Sequence, residues 1–252
     1  MDDSIYNDVS SFEEYESILS TISEEERTSQ NELCHDIISG PTKYSDYEVH
    51  NICPSVMNYL NKLQVNPDDS YKVKGCKYLY YALYEMAPKM HIPNDITYNL
   101  YNDLLETYHL KKEYKFHINV DNFNSDIFKT IKNLLNLYDY FYKYKRKTQC
   151  KNKTCDCAEE CVKIYNEYIV KCNNHNSSSL CTELYKFAKE FNNHLSQDNV
   201  CNDKITKLET FNRYHLKIII VIPIILIFAI SFSFIILYKV KNNIIIYLNI
   251  MH

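Results

Sequence analysis

Ten cysteines are the residues of this 252-residue chain whose chemistry their placement constrains most. They are Cys34, Cys53, Cys76, Cys150, Cys155, Cys157, Cys161, Cys172, Cys181 and Cys201. Their number is even, and all precede an apolar run that begins at Ile218. That placement suits structural disulfides formed in an oxidising compartment, with up to five bridges whose pairing sequence leaves open. Cys155 and Cys157 lie too close to pair comfortably with each other, which sends each to a more distant partner. The rival chemistry is a tetrahedral zinc shell drawn from Cys150, Cys155, Cys157, Cys161 and His175. Its CxCxxxC spacing departs from the usual paired CxxC…CxxC, so disulfides are expected and no metal.

Other chemistry finds no foothold in the pattern. The chain has no GxSxG, HExxH, Walker or GxGxxG motif, and His35, His50, His91, His109 and His117 are scattered. The reading is therefore of no catalytic residue, no cofactor and no enzyme. The formal charge is −4, and removing the two positive charges of Lys239 and Lys241 leaves −6 on everything before the apolar run. An acidic balance speaks against a nucleic-acid binder. Lys143, Lys145, Arg146, Lys147, Lys151 and Lys153 nevertheless form a basic stretch with no acid between them. Its ordinary reading is a solvated loop, and its functional reading a contact for a sulfated or sialylated glycan.

The elements that must position these residues read as helices. Only Gly40 and Gly75 are glycine, too few for a turn-rich β fold, and Asn, Asp, Ser and Pro supply the turns. Ser11-x-x-Glu14 and Ser23-x-x-Glu26 match the capping box and predict helices over 11–20 and 24–39, the second closed by Gly40-Pro41. Apolar residues then recur at spacings of three and four along Val49–Leu63, Val73–Ala87, Ile96–Tyr108, Ile127–Phe141, Cys161–Cys172 and Leu180–Leu195. The helix through Tyr80 is apolar over a wide arc and belongs at the centre. Tyr78, Tyr80, Tyr81, Tyr84, Tyr138, Tyr140, Tyr142 and Tyr144 fall mainly on core stripes, each hydroxyl seeking water or a polar partner.

Residues 218–238, IIIVIPIILIFAISFSFIILY, carry no charge and match the roughly 20 apolar residues a helix needs to cross a bilayer. The fold class expected is all-α: a disulfide-braced helical ectodomain over 1–195, a polar juxtamembrane stalk over 196–216, one transmembrane helix over 217–238 and a short tail over 239–252. The acidic start at Met1 has no signal-peptide core, so export is expected to use the membrane helix or unusual machinery. Arg213 and Lys217 before the run lean toward a cytosolic domain by the positive-inside rule, while the cysteines lean the other way and carry more weight. Asn152-Lys153-Thr154 and Asn176-Ser177-Ser178 are sequons in expected loops.

Several segments resemble the Plasmodium interspersed repeat (PIR) proteins, and most closely their Vir-type members. They are Cys76 to Tyr84 (CKYLYYALY), Leu137 to Tyr142 (LYDYFY), and Cys155 to Cys181 with Tyr165-Asn166, followed by Leu184 to Phe187 (LYKF). Cys34 and Cys53 stand where the family's early cysteines are expected. The order of these segments carries the resemblance, over essentially the whole chain. Two departures stand out: Ala82 occupies a position where the family often has Trp, and the tail from Lys239 is shorter and less basic, read as translated intron. The resemblance implies a variant antigen exported to the infected red cell surface or to associated parasite-derived membranes, serving immune evasion or adhesion. Its partners would be the bilayer through 218–238 and a host receptor, glycan or antibody, met by loops at 66–72, 109–123 and 145–156. The alternative is an intracellular structural or trafficking protein of the parasite or of host-cell clefts.

Overall fold

The computed structural model describes residues 4–39, 44, 47–116, 118, 123–148, 150, 155–172 and 178–210. The expected membrane run, Gly40, His175, Lys151, Lys153 and both sequon asparagines lie outside the described residues. The chain divides into a unit of Met1–Leu208 and a unit of Glu209–His252, and the account below concerns the first. No helix among the described residues is long and apolar enough to cross a membrane.

The first unit is helical, with no strand among its described residues. A 3-10 segment at Ser4–Ser11 leads into α1 (Phe12–Ser20), α2 (Glu24–Ser39), α3 (Cys53–Gln64), α4 (Asp69–Met86) and α5 (Asn94–Lys112). Then come α6 (Ser125–Lys145), α7 (Asp156–Ile169) and α8 (Ser179–Gln197). Helix α1 packs on α3 and α4, α2 on α3 and α5, and α4 on α3 and α5; α6, α7 and α8 follow as a second group. The Ser4–Ser11 segment ties the groups together, touching α1, α4, α6 and α8. It buries Ile5, Tyr6 and Val9, and its Asp8 accepts from Lys77 Nζ of α4 at 2.9 Å in a largely buried ion pair.

The apolar stripes form the core as their spacing dictates. Val49, Cys53, Val56, Leu60 and Leu63 are buried, as are Ile131, Leu134 and Phe141 of α6 and Leu184, Phe187 and Phe191 of α8. Helix α4 is central, with Cys76, Leu79, Tyr80 and Leu83 buried. Phe128 of α6 meets Tyr80 edge-on at 5.2 Å and stacks on Tyr84 at 3.6 Å, so aromatic packing joins the two helix groups. Gly75 lets α4 approach α3: a Cβ there would fall 2.6 Å from Leu63 Cδ2, and its carbonyl accepts from the Tyr59 hydroxyl at 2.8 Å.

Starts and stops follow local chemistry. Asp68 accepts from Ser70 N at 2.8 Å to open α4, Asn124 from Ile127 N at 3.0 Å to open α6, and Ser178 from Cys181 N at 3.2 Å to open α8. Ser23 and Glu26 make both bonds of a capping box, at 2.8 and 3.1 Å. Ser11 does not. The preceding 3-10 turn already holds it in helical conformation, and its hydroxyl donates back to the Asp8 carbonyl at 2.6 Å. The expected loop at 66–72 is also shorter, because Asp68 starts α4 at Asp69.

The stretch expected as a stalk from residue 196, with Cys201 as its tie, is described as far as residue 210. The chain stays on the domain through Leu208. Cys201 is bonded to Cys155, Ile205 and Leu208 are buried, and Asn192 of α8 makes two 2.8 Å bonds to the Leu208 backbone. Three anchoring side chains in a polar stretch carry no periodicity, so composition alone suggested a spacer.

Candidate functional site

The cysteines form four bridges rather than five. Cys34–Cys53 joins α2 to the start of α3, and Cys150–Cys157 ties residue 150 to the first turn of α7. Cys155–Cys201 pins the segment after α8 to the start of α7, and Cys172–Cys181 joins the end of α7 to α8. Their Cα–Cα distances of 5.9, 5.3, 5.8 and 5.5 Å are ordinary for a disulfide. Cys155 takes the remote partner expected, whereas Cys157 closes on a cysteine only seven residues back. The zinc alternative loses its ligands here, since Cys150, Cys155 and Cys157 spend their sulfurs on disulfides.

Cys76 and Cys161 remain thiols, each fully buried in its helix's core face. Cys161 Sγ lies 3.7 Å from the Leu137 carbonyl of α6. Burial pushes both thiols well above their ordinary range, so neither offers a thiolate at neutral pH. These two positions are core hydrophobes that happen to carry sulfur.

The loops expected to make contacts meet in part. Helices α3 and α5 end side by side, where the Tyr108 hydroxyl sits between the side-chain amides of Asn61 and Gln64, 2.8 Å from Asn61 Oδ1. Glu113 ends α5 in the left-handed region, and Tyr114 and Phe116 fold back with Phe116 5.7 Å from the Tyr108 ring. From the start of α4, Lys72 reaches over the Tyr114 ring at 5.6 Å while pairing with Asp69 at 3.1 Å. The connection at 66–68 and the residues 113–116 that follow α5 therefore share one end of the domain. That end shows two of the largest exposed apolar side chains among the described residues, Val65 at 81 % and Leu110 at 69 %. Of the third expected loop, 145–156, residues 149 and 151–154 lie outside the described residues.

The basic stretch is partly consumed by the fold. Lys143 pairs with Asp139 at 2.5 Å, and Lys145 pairs with Glu190 at 3.0 Å while lying 4.4 Å over the Phe141 ring. Nearby, Glu183 of α8 is fully buried and accepts from the Tyr138 hydroxyl at 2.7 Å and from Lys186 at 3.2 Å. Of the tyrosines, Tyr15, Tyr59, Tyr80, Tyr101, Tyr108 and Tyr165 are the most deeply buried, so packing accounts for the abundance of this residue in the core.

Two open cavities flank the exposed side of α6. One, of about 650 Å³, is floored by Leu19, Tyr78, Tyr81, Ala82, Met86 and Leu135. The other, of about 610 Å³, runs from Val9 to Arg146, and both share Glu16, Leu135 and Asn136. Sequence reasoning missed them. They arise between elements far apart in the chain, and the one local signal was a small residue, Ala82, inside a run of large ones.

Compared with known proteins, the chain matches no family model, no curated protein and no solved structure.

Proposed function

We propose that this chain is a membrane-anchored interaction protein of the PIR, Vir-type kind. Its helical domain stands in a non-cytosolic space and presents the end that carries residues 66–68 and 113–116 to a host receptor or antibody. The observation that carries the reading is the set of four disulfides, because such bridges persist only where thiols are not kept reduced. The uncharged run at 218–238 supplies the anchor. The braced frame beneath the loops lets exposed residues such as Val65 and Leu110 vary without loss of the core. Internal pairing of Lys143 and Lys145 makes the basic stretch a poorer contact than this end.

The reading is tested on infected red cells. Carbonate extraction is expected to leave the chain in the membrane fraction, and external protease on live cells to remove the domain. Release into the carbonate supernatant would end the anchor. Full protection from external protease would transfer the protein to the intracellular trafficking reading.

A further inference from the structure

The 650 Å³ cavity beside α4 is of ligand-pocket size and has an apolar floor. Its position follows from Ala82, which stands where a large side chain would fill the space between α1, α4 and α6. Three residues that carry acceptors line it. Tyr78 and Tyr81 are 6 % and 7 % exposed, both line the cavity, and neither hydroxyl has a hydrogen-bond partner among the described residues. Glu16, on α1, stands at the mouth. After burial, its charge is the main influence raising the Tyr78 phenol, and it acts on Tyr81 behind burial, Glu85 and Tyr78. The other carboxylate close to Tyr81, Glu85, is taken by Lys132 at 2.6 Å. Of the cations on the rim, Lys132 is thereby neutralised, and Arg27 is directed to Glu24 and to the Asn51 carbonyl at 3.2 Å. Lys89 lies exposed at the edge.

We infer that this cavity is a binding site for a small primary amine carried on an apolar body, of the arylalkylamine or alkylamine class. An ammonium has three N–H donors and no acceptor, which matches two phenol oxygens and a carboxylate. The apolar body lies on Ala82, Leu19 and Leu135, with Met86 and Met90 adapting to its outline. The two tyrosine rings are fixed before the ligand arrives, Tyr78 edge-on to Phe12 at 5.3 Å and Tyr81 against the same ring at 5.9 Å, so little ordering is needed on binding.

The test uses the full-length chain in lipid nanodiscs, with empty nanodiscs as the blank, and calorimetric titration of 2-phenylethylamine against 2-phenylethanol. Saturable binding of the amine is expected, with the neutral alcohol weaker by roughly tenfold or more, the value of a charge-assisted hydrogen bond. Glu16→Gln is expected to weaken the amine by about the same factor and to leave the alcohol unchanged. Tyr81→Phe removes one acceptor and keeps the ring, and is expected to weaken the amine by less. Ala82→Trp fills the cavity and is expected to abolish binding of both; the chain has no other Trp, so indole emission reports whether this variant is folded and the site dry. Equal affinity for amine and alcohol, full affinity in Glu16→Gln, or no saturable binding would overturn the assignment. None of these outcomes bears on where the protein is displayed.

Discussion

Cys76 and Cys161 put a number on the redox state of the whole domain. Both thiols are enclosed and held in the protonated form, while the other eight sulfurs are paired. Iodoacetamide is therefore expected to modify neither in the folded protein, and two per chain once the domain is unfolded without reductant; mass spectrometry counts them. Modification of more than two sites would contradict the bridges. At the other extreme of exposure stands Glu26, whose carboxyl is held below its ordinary value of 4.5, first by the Ser23 backbone N–H. A depressed folded pKa means that the cap's contribution is fully present above that ordinary value. It is lost as pH falls through the lower folded one. Wild type is expected to be more stable than Glu26→Gln near pH 7, with the gap closing toward pH 2 in denaturant titrations. This cap was legible because Ser23 follows a non-helical residue. The identical pattern at Ser11 misled, because a 3-10 turn stabilised by tertiary contacts runs into it and removes the free N–H groups a cap would serve.

Helices were legible wherever a stripe repeated over three or more turns, and α3 to α8 sit where their apolar residues recur. What periodicity does not carry is how closely two helices approach. Gly75 decides this for α3 and α4. Gly75→Ala gains about 1 kcal/mol of helix propensity. It also drives a methyl to 2.6 and 2.8 Å from the two Leu63 methyls and 3.1 Å from Tyr15 Cε1. Overpacking of a fully buried contact costs roughly 1–3 kcal/mol, so the clash wins or draws. Net destabilisation of up to about 2 kcal/mol is expected from urea unfolding. An increase in stability would mean that Leu63 has room to retreat.

For the molecule as a unit, the decisive element is the one with the least sequence signal. Ser4–Ser11 is short, and its contacts run to four helices, the last of which ends at Gln197. Its Ile5 is fully buried at the junction of the two helix groups. Ile5→Ala is expected to cost about 2–5 kcal/mol, out of a total that is typically about 5–15. It should lower unfolding cooperativity if the segment is what makes the groups melt together, which coincidence of near- and far-ultraviolet circular dichroism transitions will report. Disulfide pairing and the two cavities were unreadable for the same reason as this clasp: each depends on which distant residues become neighbours.

The bond between Cys155 and Cys201 has a consequence for how a cut in the chain is detected. A protease that severs one peptide bond anywhere in the intervening stretch, including the segment enclosed by Cys172 and Cys181, leaves both pieces covalently joined. Clipped molecules are expected to migrate as one species without reductant and as two after it. Cleavage there is silent until it is accompanied by reduction, so parting the two pieces needs two chemical events rather than one.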